Sequence, residues 1–234
     1  MKLFEIKTIT PKDFEPKRVG NPKGSYTHLI PKNSEELGFG SYGTVFTTKD
    51  EPGTITKIVR NATNLKSDQY FKYVSALAKN DRISRNPYFP KIYSIKIEKD
   101  RSGMSRYSVD MESLLNFDSL SIEEMYMLGE KMFFNFYAFA KDARARIQDV
   151  LGMKDAKMQS KKTASFAIMK AMERVIVYGA KVETYIKDPN LKGALLILKS
   201  LVNKHEASPD IHSGNIMVRR GPGGPQLVIT DPVV

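Results

Sequence analysis

Pro209-Asp210-Ile211-His212-Ser213-Gly214-Asn215-Ile216-Met217 and, after a short apolar segment, Thr230-Asp231-Pro232 set two carboxylates and one amide at fixed intervals. Asn215 stands five residues beyond Asp210, and Asp231 a further sixteen. Between them Ile216-Met217-Val218 and Gln226-Leu227-Val228-Ile229 read as strands, with Gly221-Pro222-Gly223-Gly224-Pro225 as the tight turn that joins them. The pattern predicts a polar loop, a hairpin, and an acid at the end of its second strand. Asp and Asn also populate turns through their own backbone hydrogen bonds, so the loop alone is compatible with a purely structural role.

The same three residue types at this spacing suit one chemistry. Phosphoryl transfer from a magnesium nucleotide to a hydroxyl needs a carboxylate that accepts the hydroxyl proton and hard oxygen ligands that hold the metal across the phosphates. Protein kinases draw the base and one ligand from an H-R-D-x-x-x-x-N loop and the second ligand from the Asp of D-F-G. Asp210 and Asn215 keep the internal spacing of that loop, and Asp231 falls where the second ligand is expected.

A second motif lies near the other end. Leu37-Gly38-Phe39-Gly40-Ser41-Tyr42-Gly43-Thr44-Val45-Phe46 contains G-x-G-x-x-G-x-V. Alone it also fits a dinucleotide site, but that fingerprint should open a helix and be followed about twenty residues on by an acid. Here the next segments are strand-like: Thr44 to Thr48, a turn over Lys49-Asp50-Glu51-Pro52-Gly53, then Thr54-Ile55-Thr56-Lys57-Ile58-Val59. A glycine-ended β-hairpin places backbone amides over phosphates. Lys57, flanked by β-branched residues as in V-A-I-K, is then placed to meet the α- and β-phosphates. No G-x-x-x-x-G-K-[ST] occurs, so a P-loop is not supported.

Glycine loop, strand lysine, D-x-x-x-x-N and a final Asp follow one another in protein-kinase order. Asp210-Ile211-His212-Ser213-Gly214-Asn215-Ile216-Met217 and Ile229-Thr230-Asp231-Pro232-Val233 further resemble the D-M-H-S-G-N-I-M and I-T-D-P-V segments of the early serine/threonine protein kinases of T-seven-like bacteriophages. The likeness is specific in the last quarter of the chain and looser around the glycines and Lys57. It implies an α+β, two-lobed protein-kinase-like fold: a small antiparallel β-sheet lobe with one helix, and a mainly helical C-terminal lobe truncated after the metal-binding Asp. It implies ATP and Mg2+ as cofactors and transfer to Ser/Thr hydroxyls of host proteins, transcription or RNA-processing machinery among them, in the host cytoplasm, with a part in host transcription shutoff.

On that reading Asp210 is the base, with Lys57 and His212 as further catalytic residues. Gly38, Phe39, Gly40, Ser41, Tyr42, Gly43, Val45, Lys57 and Glu112 bind ATP, and Asn215 and Asp231 hold the metal. His212 follows the base by two residues, where many protein kinases have a lysine near the γ-phosphate and where small-molecule phosphotransferases also place His. A donor there would stabilise charge on the transferred group; the alternative is a loop-capping histidine. His28 and His205 have no metal-binding spacing.

The departures from ordinary kinases are specific. No glutamate occurs between Asn61 and Glu98, so the usual helix partner of the strand lysine is missing. Asp68, Gln69 or Asp81 could substitute, or Lys57 has no such partner. Pro209 replaces the arginine that reads an activation-loop phosphate, and Asp231-Pro232-Val233 replaces D-F-G, so control by loop phosphorylation is not expected. Only three residues follow Asp231, so the surface that docks substrate is expected elsewhere, in the long insertion before Asp210 or in a further segment of chain beyond these 234 residues. Two other classes share these features: a small-molecule phosphotransferase, and a pseudokinase module that binds a host protein without turnover.

The 234 residues allow one two-lobed domain with a sizeable core, and the absence of cysteine excludes disulfide and thiol chemistry. No apolar run reaches the eighteen residues of a membrane span. The lysines and arginines behind the net charge of +11 spread along the chain, as on solvated faces, and are denser at Lys12, Lys17, Arg18 and Lys23 and over 144–162, patches able to attract nucleic acid or acidic proteins, although no aromatic-interleaved motif accompanies them.

Three regions are predicted: 1–30 as an extension, 31–112 as the sheet lobe, 113–234 as the helical lobe. Gln69–Lys79 is the helix of the first lobe, Lys91–Glu98 and Arg106–Met111 its later strands, and Glu112–Leu115 the hinge whose backbone meets adenine. Ser121-Ile122-Glu123-Glu124 opens a helix through a capping box, with Met125, Leu128, Met132, Phe133, Phe136 and Phe139 as its apolar stripe. Lys161–Lys187 and Leu191–His205 are further helices.

Overall fold

The computed structural model describes residues 29–39, 43–62, 65–99, 105–138, 140–141, 156–178, 185–205 and 207–233. These divide into two compact units. The first holds the described residues up to Arg85 together with Pro90–Ser113; the second holds Asn86–Phe89 and the residues from Leu114 onward.

The first unit is built on an antiparallel sheet of five strands: β1 (Ser34–Phe39), β2 (Gly43–Thr48), β3 (Thr54–Ala62), β4 (Ile92–Lys99) and β5 (Ser105–Glu112), in the order β1-β2-β3-β5-β4. Alternation decides which residues the sheet buries. In β3, Thr56 and Ile58 are buried whereas Lys57 between them is partly exposed. Phe46 and Ile58 pack with Leu29 and Ile30, so the end of the region expected as an extension contributes to the core. Residues 1–28, with the basic arm, lie outside the described residues.

Helix α1 (Gln69–Lys79) has the predicted limits, and the sequence shows why it starts there. The Asp68 carboxylate accepts from the Phe71 amide and caps it. The helix packs against β4 and buries Tyr70, Tyr73, Val74 and Leu77. A second helix adds to the one expected: α2 (Asp81–Ser84) is a single turn capped by Asn80, whose side chain accepts from the amides of Arg82 and Ile83. On β5, between β3 and the edge strand β4, Asp110 accepts hydrogen bonds from Thr56, Ser94 and Lys96. Burial alone would raise its pKa, but these donors and the Lys96 charge outweigh burial and hold the carboxyl below the usual carboxylate range.

Among the described residues the second unit carries a three-stranded sheet, β6 (Leu115–Asn116), β7 (Ile216–Gly221) and β8 (Gly224–Ile229), in that order, and the long helices α3 (Ile122–Met132), α4 (Ala156–Tyr178) and α5 (Pro189–His205). The capping box of α3 is formed in full: Ser121 Oγ accepts from the Glu124 amide while the Glu124 carboxylate accepts from the Ser121 amide. α3 packs on β8 and α4, and α4 packs on α5. Met125, Leu128 and Met132 of α3, Ile168 and Met172 of α4, and Leu195 and Leu198 of α5 are all buried, forming an apolar interior from which water is excluded.

Two expected boundaries are corrected. The helix opened by Ser121 stops at Met132, because Phe133 is extended and Asn135 takes a positive φ of 54°. Phe133 and Phe136 nevertheless stay in the core, with ring centroids 6.3 Å apart, and Gly129 leaves the room that Phe136 fills. Phe139 lies outside the described residues. The helix expected over Lys161–Lys187 runs from Ala156 to Tyr178, and Ile186 instead pairs with Phe133 in an antiparallel bridge. Asp188 then starts α5 by accepting from the Asn190 and Leu191 amides, with Pro189 at the first helical position, where its missing N–H costs nothing.

The short segment Asn86–Phe89 carries no motif, yet it is closely held. Tyr88 is buried and donates to Asp188, and Arg219 of β7 donates to the carbonyls of Pro87 and Phe89. The Tyr88 carbonyl accepts from the Ile229 amide at the end of β8. These bonds tie the segment to both the three-stranded sheet and α5. Among the described residues, no helix is long and apolar enough to cross a membrane.

Candidate functional site

Hairpin β7–β8 does the local assembly in the second unit. Ile216 and Ile229 are register partners, so the chain leaving the hairpin at both strands places Asn215 beside Thr230. The Thr230 amide and hydroxyl both donate to the Asn215 carbonyl, at 2.9 and 3.0 Å. Farther out, the Asp210 amide donates to the Pro232 carbonyl at 2.8 Å, and Pro209 forms an antiparallel bridge with Val233. The loop from Asp210 to Asn215 is therefore stitched at both ends to the segment that contains Asp231.

Inside the loop, the Asn215 side-chain amide donates to the Asp210 backbone carbonyl at 3.0 Å and to Asp210 Oδ2 at 2.9 Å. Both partners are acceptors, which settles the orientation of the amide. Its two hydrogens are engaged by Asp210, so what Asn215 can offer a cation is its carbonyl oxygen. Asp210 is held as well: Oδ2 is anchored, and Oδ1 makes no hydrogen bond among the described residues.

His212 is seated by Gly214, whose amide donates to Nδ1 at 3.0 Å. A side chain at Gly214 would come within 2.9 Å of the imidazole, so the glycine is a condition of that seat. With Nδ1 an acceptor, the neutral ring carries its proton on Nε2, and Nε2 stands 3.6 Å from Asp210 Oδ2. That is beyond hydrogen-bond length, yet it directs a donor toward the carboxylate. His212 thus caps the loop and turns Nε2 toward Asp210.

Magnesium fits this set in a limited way. Among the described residues, no group of three or more His, Cys, Asp or Glu could hold a metal ion. Mg2+ does not require such a cage, since it is commonly held by one or two carboxylates, with phosphates and waters completing an octahedron. The Asn215 side-chain oxygen Oδ1 and the Asp231 carboxylate are hard oxygen donors of the right type on adjoining segments.

In the first unit the glycine motif spans hairpin β1–β2. Gly38 and Phe39 pair with Val45 and Thr44, after an irregularity between Glu36 and Gly38. Gly40, Ser41 and Tyr42 lie outside the described residues. Gly43 opens β2, and a Cβ there would meet the Ile58 carbonyl oxygen at 2.5 Å, so this glycine is demanded by the sheet itself. Val45 and Lys57 are cross-strand partners. Lys57 Nζ lies 3.7 Å from the centroid of the Tyr70 ring.

Glu112 ends β5 with its carboxylate turned back into the sheet. Its Oε1 accepts from the Lys91 amide at 2.8 Å, and its own amide donates to the Lys91 carbonyl at 3.1 Å. The Ser113 amide donates to the Gly53 carbonyl. Of the acids considered as partners for Lys57, Asp68 caps α1 and also accepts from the Tyr107 hydroxyl at 2.9 Å, while Asp81 is exposed in the first turn of α2.

Tyr70 in the first unit, and Thr230 and Gly214 in the second, contact candidate residues although the sequence reading gave none of the three a role. Asp68 starting a helix two residues before an aromatic was a usable signal for Tyr70. Thr230 beside Asp231 carried none. Neither a scan against protein-family models nor a search of curated proteins matched this chain.

Proposed function

We propose that this protein is an ATP- and Mg2+-dependent phosphotransferase with a protein-kinase-like fold that transfers phosphate to protein Ser/Thr hydroxyls. The observation that carries the proposal is the clamp of Asn215 on Asp210 within a loop stitched on both sides of Asp231. A turn needs none of these side-chain contacts, whereas a base and two metal ligands need a common rigid frame.

In this reading Asp210 Oδ1 accepts the proton of the attacking hydroxyl, and Asn215 holds the carboxylate for it. Asn215 and Asp231 would hold magnesium, which supplies neutralisation of phosphate charge when bound. Lys57 and the backbone of the glycine hairpin position the phosphates, and His212 presents Nε2–H on the same side as Oδ2 of the base. The choice of protein Ser/Thr hydroxyls on host proteins rests on the resemblance to the phage kinases.

The test is transfer of labelled phosphate from ATP to host lysate proteins and, in parallel, to hydroxylated metabolites. Asp210→Asn should leave ATP binding intact and reduce transfer by roughly a thousandfold or more, on the order expected when a positioned base and its charge are lost. Undiminished transfer by that variant sinks the assignment. Labelling confined to metabolites would establish a small-molecule phosphotransferase, and ATP binding without any transfer a pseudokinase module.

A further inference from the structure

We propose that Tyr70 positions Lys57 for phosphate binding, so that α1 holds the strand lysine with an aromatic face where protein kinases use a helix glutamate. This rests on the phosphoryl-transfer reading of Lys57.

The ammonium stands 3.7 Å from the ring centroid, well inside the roughly 6 Å over which a ring quadrupole attracts a cation. A chance surface contact would leave the ring loosely held. Tyr70 is instead buried, with 8% of its surface exposed, and its position is determined from two directions. From the sheet, Tyr107 of β5 stacks on it with centroids 6.5 Å apart and planes inclined by 24°. From the helix, Tyr73 lies 6.4 Å away, and Phe71 meets Tyr107 edge-on at 5.1 Å. Tyr107 is itself fixed, because its hydroxyl donates to Asp68 Oδ1, the oxygen that also caps α1 at Phe71.

The acid next to α1 thus builds the seat of the ring. Asp68 orients Tyr107 and the helix start, these orient Tyr70, and Tyr70 receives Lys57. Backbone pairing brings the lysine to the ring from its own side, since Lys57 lies between Val45 and Val109 in the sheet register.

The contact with the ring differs in consequence from an ion pair. A carboxylate would neutralise the ammonium, whereas a ring face attracts it and carries no net charge. Tyr70 therefore restricts where Lys57 sits, and the ring itself cancels none of the lysine's charge. Loss of the ring's negative face should weaken ATP binding while leaving the base and metal ligands of the second unit unaffected.

The experiment is a series at position 70: Tyr70→Phe as reference, then replacement by mono-, tri- and pentafluorophenylalanine. Fluorination withdraws the negative face stepwise at nearly constant ring size. The ATP dissociation constant should rise with each step, to about fivefold for the pentafluoro side chain, a span matching an exposed-to-buried cation–π contact. Melting temperatures across the series should stay near that of Tyr70→Phe. A contact readout independent of nucleotide is the upfield ring-current shift of the Lys57 ε-methylene protons in the Tyr70→Phe protein, which should vanish in Tyr70→Leu. If Tyr70→Leu does not fold, the fluorinated series decides.

A flat dissociation constant across the series overturns the proposal and leaves the kinase reading intact. Absence of the ring-current shift overturns the contact. A wild-type protein that binds no ATP sinks the phosphoryl-transfer reading, and this inference with it.

Discussion

Hairpins β2–β3 and β7–β8 each carry candidate residues, and they treat their motifs differently. In β7–β8 the residues named by the motif are the ones that touch: Asn215 bonds Asp210, Thr230 bonds Asn215, and Pro232 bonds Asp210. In β2–β3 Val45 and Lys57 are cross-strand partners, but the motif residues also meet residues outside it. Gly43 faces the Ile58 carbonyl, Lys57 faces Tyr70, and Asp68, one of the residues that could have substituted as the lysine's partner, caps a helix. The difference teaches that a motif closed within a few residues and one hairpin carries its geometry with it. One completed from a separate helix leaves its partner to be chosen by packing.

Three experiments break or sharpen that contrast. The largest effect should come from the hairpin whose motif is self-contained. Asn215→Leu and Asp231→Asn should each lower phosphate transfer on the order of a thousandfold, because the former removes an oxygen ligand and releases Asp210, and the latter replaces a charged carboxylate ligand with a neutral amide. The check is transfer rate against Mg2+ concentration. Restoration of the Asp231→Asn rate by excess Mg2+ is compatible with a weakened ligand, whereas an unchanged rate at low Mg2+ would remove the residue from the site.

The next effect belongs to the glycine hairpin and is structural. Gly43→Val forces the new side chain against the Ile58 carbonyl oxygen, which sits 2.5 Å from where its Cβ would lie, and should cost about 1–3 kcal/mol of stability. Gly38 has open space around its Cβ position, so Gly38→Ala should melt close to wild type. Denaturant titration of the two variants separates a glycine required by the sheet from one that is not. Equal stability of the pair would show that the register at Gly43 yields.

The smallest effect is the pH response of the sheet unit's structural carboxylate. Asp110 titrates below the ordinary carboxylate value because its donors outweigh its burial. Its stabilising contribution is therefore present above its unfolded pKa, about 4, and is lost as pH falls through the lower folded value. Melting temperature should decline on acidification below about pH 4, and Asp110→Asn should be less stable at neutral pH and show a shallower decline over that window. A decline of the same steepness in Asp110→Asn would assign the acid sensitivity to other carboxylates.

Much of the architecture was legible because it follows from local rules. Runs of β-branched and apolar residues marked β2, β3, β4, β5, β7 and β8, and Ser121 with Glu124 marked α3, whereas the Asp68 cap of α1 emerged only with the structure. Helix ends were less legible. Phe133, Phe136 and Phe139 continue the helical spacing beyond Met132, but Phe133 reaches the core in an extended conformation, which the pattern of apolar residues cannot distinguish from a helix. The two-residue strand β6 and the one-turn helix α2 are too short to show any period. Asn86–Phe89 joins the second unit through Arg219 and Asp188, partners far away in the chain.

The sequence by itself determined the order of the candidate residues, the hairpin that joins Asn215 to Asp231, and the spacing of Asp210 from Asn215, because those relations are set by chain connectivity and strand pairing. Only the tertiary structure decided that Asn215 clamps Asp210, that His212 turns Nε2 toward the carboxylate, and that Lys57 meets an aromatic ring. Side-chain contacts of that kind depend on which surfaces pack together, and burial selects among several acids and rings that sequence spacing leaves equivalent.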